Sequence, residues 1–215
     1  MLSFAEEIYL LALDETTGKP ILNSRNIEMQ SALVGAILGE LSFTQRIDTD
    51  MENIYVLDKK PVGNPLLDDT LAVLAKEDEP QSLTFWIKEL LSDARAIEAH
   101  VLQELIRKNI LTEVETKILW VFPTRQYPVI DGRQLLNIET RLRNLVLSDE
   151  IPDPRETVLV SLVDACGLFP EILSPRELAR SGERIALLAR MDSIGRAVSD
   201  LIRAVNKAYI TLHMG

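Results

Sequence analysis

The chain has 215 residues, 47% hydrophobic and 26% charged, with a formal net charge of −10. That balance fits an ordinary globular protein and excludes general disorder, because there is enough apolar surface to offset the entropy of ordering. A single cysteine, Cys166, and two histidines, His100 and His213, exclude a disulfide framework and a Cys/His zinc cluster, so no metal or other cofactor is expected.

In chain order, helix signals dominate. Ser3 and Glu6 form a capping box ahead of an apolar run that stops at the turn "DETTGKP". Glu6 and Glu7 interrupt that run and no basic segment precedes it, so it does not read as a signal peptide. Residues 28–43, "EMQSALVGAILGELSF", are apolar almost all round, which predicts a central buried helix. Gly35 and Gly39, four apart, would let neighbouring helices approach closely. "RIDTDMENIYVLDKK" alternates around an acidic turn and reads as a short hairpin. A loop stiffened by Pro61 and Pro65 leads into a helix to about Lys76, where Asp68 and Asp69 would offset the macrodipole, and "EDEP" at 77–80 is an exposed break.

Residues 82–111 read as two helices bent near Ser92–Asp93, with Trp86 in the core. His100 and Glu104 would make a surface pair. "NILTEVETKILWVF" reads as strand, turn and strand, and residues 132–147 as an amphipathic helix. "DPRE" at 153–156 and "SPRE" at 174–177 each supply a cap, proline at the first helical position and a glutamate at the third. Cys166 reads as a packed thiol. The last long helix is expected over 184–207, broken near Ser193–Gly195. The predicted fold is mainly α: a single helical domain, residues 1–215, with one or two short β-hairpins.

Charge is unevenly spread. Residues 1–80 hold six Lys/Arg against fifteen Asp/Glu, whereas residues 175–215 hold seven against four, a stripe that reads as a solvated helix face. No nucleophile elbow, Walker loop or dinucleotide fingerprint is present, so a binding protein is expected rather than an enzyme. No window approaches the ~18 apolar residues of a membrane span. The 93–109 helix followed by a hairpin suggests a winged helix as an alternative. Its formal charge is zero, however, and nucleic-acid affinity rests on neutralised phosphates, so no nucleic-acid partner is expected.

Four segments in order, "LSFAEEIYLLALDETTGK", "ALVGAILGELSFTQRI", "PVGNPLLDDTL" and "VLQELIRKNILTE…VFPTRQYPV", resemble the Golgi phosphoprotein 3 family from about residue 3 to 172. The charged N-terminal tail of eukaryotic members is not in this sequence, so it resembles a short, prokaryotic-type member. The resemblance implies a non-enzymatic, cytoplasmic adaptor, peripheral on a membrane, that binds phosphatidylinositol 4-phosphate and the cytosolic tails of membrane proteins. The family's head-group tryptophan and arginine fall on Arg25 and Val34, and its mid-chain arginine pair on Arg95 and Glu98. Arg25 and Arg95 are the anion-binding candidates. Glu98 would repel a phosphomonoester carrying nearly two negative charges, so specificity for that lipid is not expected.

The family's membrane hairpin falls on residues 117–130, where Leu119, Trp120, Val121 and Phe122 keep the apolar run. Aromatic rings suit the headgroup level of a bilayer. Read as a strand, the run is apolar on both faces, which calls for burial on both sides or for an outside partner. An anionic phospholipid surface is one such partner. A second copy of the chain, giving a soluble homo-oligomeric scaffold, is the other.

Overall fold

A computed structural model describes the chain except residues 15–16, 23–26, 51, 119–121 and 214–215, and except the side chains of 115–125 and 208–215. The architecture is mainly α. Helices α1 (Phe4–Leu11) and α2 (Ile27–Phe43) open the chain, followed by strands β1 (Ile47–Thr49) and β2 (Asn53–Val56) and helix α3 (Pro65–Leu74). Strand β3 (Gln81–Ser82) runs into α4 (Leu83–Leu90), and a 3-10 turn at Leu91–Asp93 joins it to α5 (Ala94–Arg107). Strands β4 (Val114–Ile118) and β5 (Phe122–Gln126) precede α6 (Arg133–Leu147), α7 (Pro154–Ala165), α8 (Phe169–Ile172), α9 (Pro175–Ala189) and α10 (Ser193–His213).

The central helix forms where the all-round apolar pattern places it. From Met29 to Leu41 nearly every side chain of α2 is buried, and α1, α3, α5, α7 and α10 pack around it. Gly35 sits where α2 meets α7 and α10. A Cβ there would lie 2.7 Å from Val198 Cγ2 and 2.8 Å from Leu162 Cδ2, so the absent side chain sets the spacing of three helices. The capping boxes at Ser3, Asp153 and Ser174 all form, each with its glutamate bonded back to the cap backbone. Trp86 is buried. So is Cys166, whose thiol is pushed up to about 12 by burial and therefore stays protonated.

Some elements differ from expectation. The C-terminal region is two helices, and the break falls at 190–192, where Asp192 accepts from Gly195 N (2.6 Å) and Ser161 Oγ (2.7 Å). Asp68 accepts from Val62 N (2.7 Å) and Gly63 N (3.2 Å), tying down the preceding loop. Glu104 pairs with Arg107 at 2.7 Å rather than with His100, because the guanidinium reaches its carboxylate with two nitrogens. The small sheet has order β1-β2-β3, antiparallel throughout. Its third strand is only two residues long, too short to leave an alternation signal.

The β1–β2 turn rests on Asp50, which accepts from Glu52 N (2.7 Å), Asn53 N (2.6 Å) and Tyr55 Oη–H (2.7 Å). These bonds, led by Asn53 N–H, hold its carboxyl down at about 2. A depressed folded pKa contributes stability that is complete above the unfolded carboxylate value and lost as pH falls through the folded one. Acid titration should therefore loosen this turn between the ordinary carboxylate pKa of ~3.9 and the folded value. Comparing acid-unfolding curves checks this: Asp50→Ala should flatten that segment of the stability profile.

Candidate functional site

Strands β4 and β5 pair antiparallel, with Val114 opposite Gln126 and Ile118 opposite Phe122. The apolar run thus straddles the end of β4 and the start of β5, and is not itself one strand. The sequence pattern places strand, turn and strand within 109–122, whereas β4 begins only at Val114 and β5 runs from Phe122 on to Gln126, so the hairpin lies later in the chain than that pattern puts it. Leu119, Trp120 and Val121, which join the strands, lie outside the described residues. So does the Phe122 side chain, although its backbone opens β5.

The hairpin's root is well fixed. Leu111 bridges Val129, Thr112 N donates to Pro128 O (3.1 Å), and Ile130 N donates to Ile110 O (2.8 Å). The loop after α1 clasps the other side, where Tyr127 N donates to Gly18 O (2.8 Å). Gly18 has φ +63, and a Cβ there would fall 2.4 Å from Pro128 N, so only glycine fits this clasp. Beyond the root, the described parts of β4 and β5 make their main contact with each other, leaving the outer strand edges without a neighbouring strand.

The carried-over head-group positions are placed as follows. Arg25 lies outside the described residues. Val34 is fully buried on α2, so its side chain faces the core and not a ligand. Arg95 is exposed on α5. Glu98, one turn on, is half-buried and accepts from Tyr9 Oη–H at 3.4 Å. Burial raises the Glu98 carboxyl above its ordinary value, while the Tyr9 bond and the Arg95 charge pull it back. The carboxylate is thus held in place beside Arg95.

The structure also contains an ionic cluster under α1 that the sequence reading passed over. Glu6 and Glu7 are only 4% and 2% exposed. Lys108 Nζ reaches Glu6 Oε1 at 2.5 Å, and Arg141 Nη2 reaches Glu7 Oε2 at 2.9 Å. Arg155, from the "DPRE" cap of α7, donates to Leu2 O (2.7 Å) and lies 3.8 Å from Glu7 Oε1 and 3.5 Å from Glu40 Oε1. Its guanidinium carbon stands 4.1 Å from the centre of the Phe4 ring. Two adjacent glutamates inside an apolar helix were the available signal, since buried carboxylates require partners. A cavity of about 320 Å³ opens beside this cluster between α1, α2, α3 and α5, bordered by Glu6, Glu40, His100, Lys108 and Arg155. Of the ion pairs here, Lys108–Glu6 and Arg141–Glu7 tether α1 to the bundle, while Arg155 pairs with Glu40 of α2 and keeps a buried Nε without a hydrogen-bond partner among the described residues.

Among the described residues, no group of three or more His, Cys, Asp or Glu side chains is arranged to hold a metal ion, and no helix is long and apolar enough to cross a membrane. A mainly helical protein with a firmly rooted, outlying hairpin is thus the class defined by fold and site. The family model for Golgi phosphoprotein 3 (GPP34) matches residues 4–205. The chain belongs to the Golgi phosphoprotein 3 family.

Proposed function

We propose that this protein is a non-enzymatic adaptor, cytoplasmic and peripheral on an anionic membrane, which it meets through Leu119, Trp120, Val121 and Phe122, and that it holds the cytosolic tails of membrane proteins. The observation that carries this reading is the rooted β4–β5 hairpin of a Golgi phosphoprotein 3 family member, with an apolar run joining its two strands. Bulky apolar and aromatic residues in the sequence of a rooted hairpin suit insertion at the headgroup level. Arg95 and Arg25 would add attraction for anionic lipid. Glu98 beside Arg95 opposes selection of a phosphomonoester head group, and the zero formal charge of residues 93–109 argues against nucleic acid.

Co-sedimentation with phosphatidylserine vesicles tests the proposal. The protein is expected to be retained, and Trp120→Ala with Phe122→Ala should reduce retention at least tenfold, about the effect of exchanging two buried aromatics for methyl groups at an interface. Adding phosphatidylinositol 4-phosphate should change retention little. The membrane reading fails if retention is absent or indifferent to those substitutions. The outer edges of β4 and β5, which pair with no further strand among the described residues, favour a second reading, self-association through the hairpin. A stable oligomer by light scattering that the same double variant dissolves would support it.

A further inference from the structure

The outward face of α9 is basic, although the protein as a whole is acidic. Arg176, Arg180 and Arg190 are exposed along it, and so are Leu187 (61%) and Met191 (62%). Next to it, the loop after α6 presents Ile151 at 93% exposure. Within 175–191 four arginines stand against two glutamates, and Glu177 is already paired with Arg143. Between α9 and the end of α6 lies a hollow of about 700 Å³, bordered by Leu147, Asp149, Arg180, Glu183, Leu187 and Arg190. Its floor is pinned by Arg184, whose Nε donates to Leu145 O at 2.9 Å and whose Nη2 donates to Glu150 O. A separate groove is bordered by Phe43, Pro152, Val158 and Met191.

We propose that this face, α9 from Arg176 onward with Arg190 and Met191 just past its end and the loop at 148–153, docks an acidic protein segment that anchors an apolar side chain against Leu187. Charge complementarity selects the sign of the partner: guanidiniums with no carboxylate partner among the described residues, those of Arg176, Arg180 and Arg190, flank exposed aliphatic side chains, the arrangement a segment mixing carboxylates with leucine-like residues would match. Shape selects its kind. A hollow accepts a protruding segment, whereas a bilayer is flat. Glu183 and Asp149 on the rim decide further against lipid, because a continuous anionic plane cannot avoid them while a peptide can set its carboxylates on the arginines between them. Ten residues separate Arg180 from Arg190, about 15 Å of helix, which an acidic helix of roughly ten residues would span.

Fluorescence anisotropy on the full chain tests this, with a labelled 14-residue amphipathic peptide of glutamate and leucine as probe. The peptide is expected to bind in a salt-sensitive manner, and its glutamine/leucine counterpart about tenfold more weakly. Arg180→Glu with Arg190→Glu should weaken binding about tenfold, Leu187→Ser about fivefold, and Glu183→Gln should tighten it about twofold. Trp120→Ala with Phe122→Ala should leave it unchanged, which separates this surface from the hairpin. All the α9 substitutions are at exposed positions, and circular dichroism confirms that each variant is folded. The proposal is overturned if the acidic peptide fails to bind, or binds the double arginine variant equally well. It is also overturned if phosphatidylserine vesicles, in the hairpin-variant background, are retained through Arg180 and Arg190.

Discussion

Glu7→Gln is expected to lower the unfolding free energy by about 3 kcal/mol, read as a shift in the urea midpoint with an unchanged slope. Glu7 sits between Arg141 of α6 and Arg155 of α7, and is nearly devoid of solvent contact. Burial raises its carboxyl above the ordinary value, and the two guanidiniums, Arg141 first, oppose that rise without cancelling it. Removing the carboxylate charge takes from Arg141 the charged oxygen it holds at 2.9 Å and leaves Arg155 with Glu40. Breaking such a pair typically costs about 3–5 kcal/mol, and the lower end applies here because Arg141 keeps about a third of its side chain in water and can swing outward. Arg155 cannot follow so easily, since it also serves Leu2 O, Glu40 and the Phe4 ring. A control on the exposed pair Arg203–Asp200 should cost far less, since such surface pairs contribute ~0–1 kcal/mol.

Gly35→Leu is expected to be at least as damaging, about 3 kcal/mol or more, by forcing apart α2, α7 and α10. Gly35→Ala separates the contributions. Its new methyl group meets the ends of the Val198 and Leu162 side chains, which can yield by rotation, and alanine recovers ~1 kcal/mol of helix propensity. The net loss should be about 1 kcal/mol. Gly39→Ala should cost less again, because its nearest neighbour, Val158 Cγ1, stands 3.1 Å away. Thermal midpoints in the order wild type, Gly39→Ala, Gly35→Ala, Gly35→Leu would establish that helix spacing at Gly35 is sterically set. A Gly35→Leu midpoint close to that of wild type would refute it.

Much of the fold was legible before any coordinates, and the physical reason is range. A capping box is built from atoms three residues apart, so Ser3–Glu6, Asp153–Glu156 and Ser174–Glu177 could be read directly. The central position of α2 followed from apolar residues on every face, a pattern with no other stable placement. The candidate hairpin was legible only in part. Its apolar run was evident, but a continuous run carries no alternation, and so could not show that the strands end at Ile118 and resume at Phe122.

The two proline caps show where local information stops. "DPRE" and "SPRE" obey the same rule and build the same helix start. Yet Arg155 of the first lies inside an ionic cluster with Glu7 and Glu40, while Arg176 of the second faces solvent. By itself the sequence determined the family, the mainly helical class, the central helix and the three capping boxes, because each depends on periodicity or on neighbours a few residues apart. Only the tertiary structure decided which charges are buried and paired. It also placed Val34 in the core and set Glu98 under Tyr9, because burial and ion pairing depend on side chains that lie far apart in the chain and meet only when the helices pack.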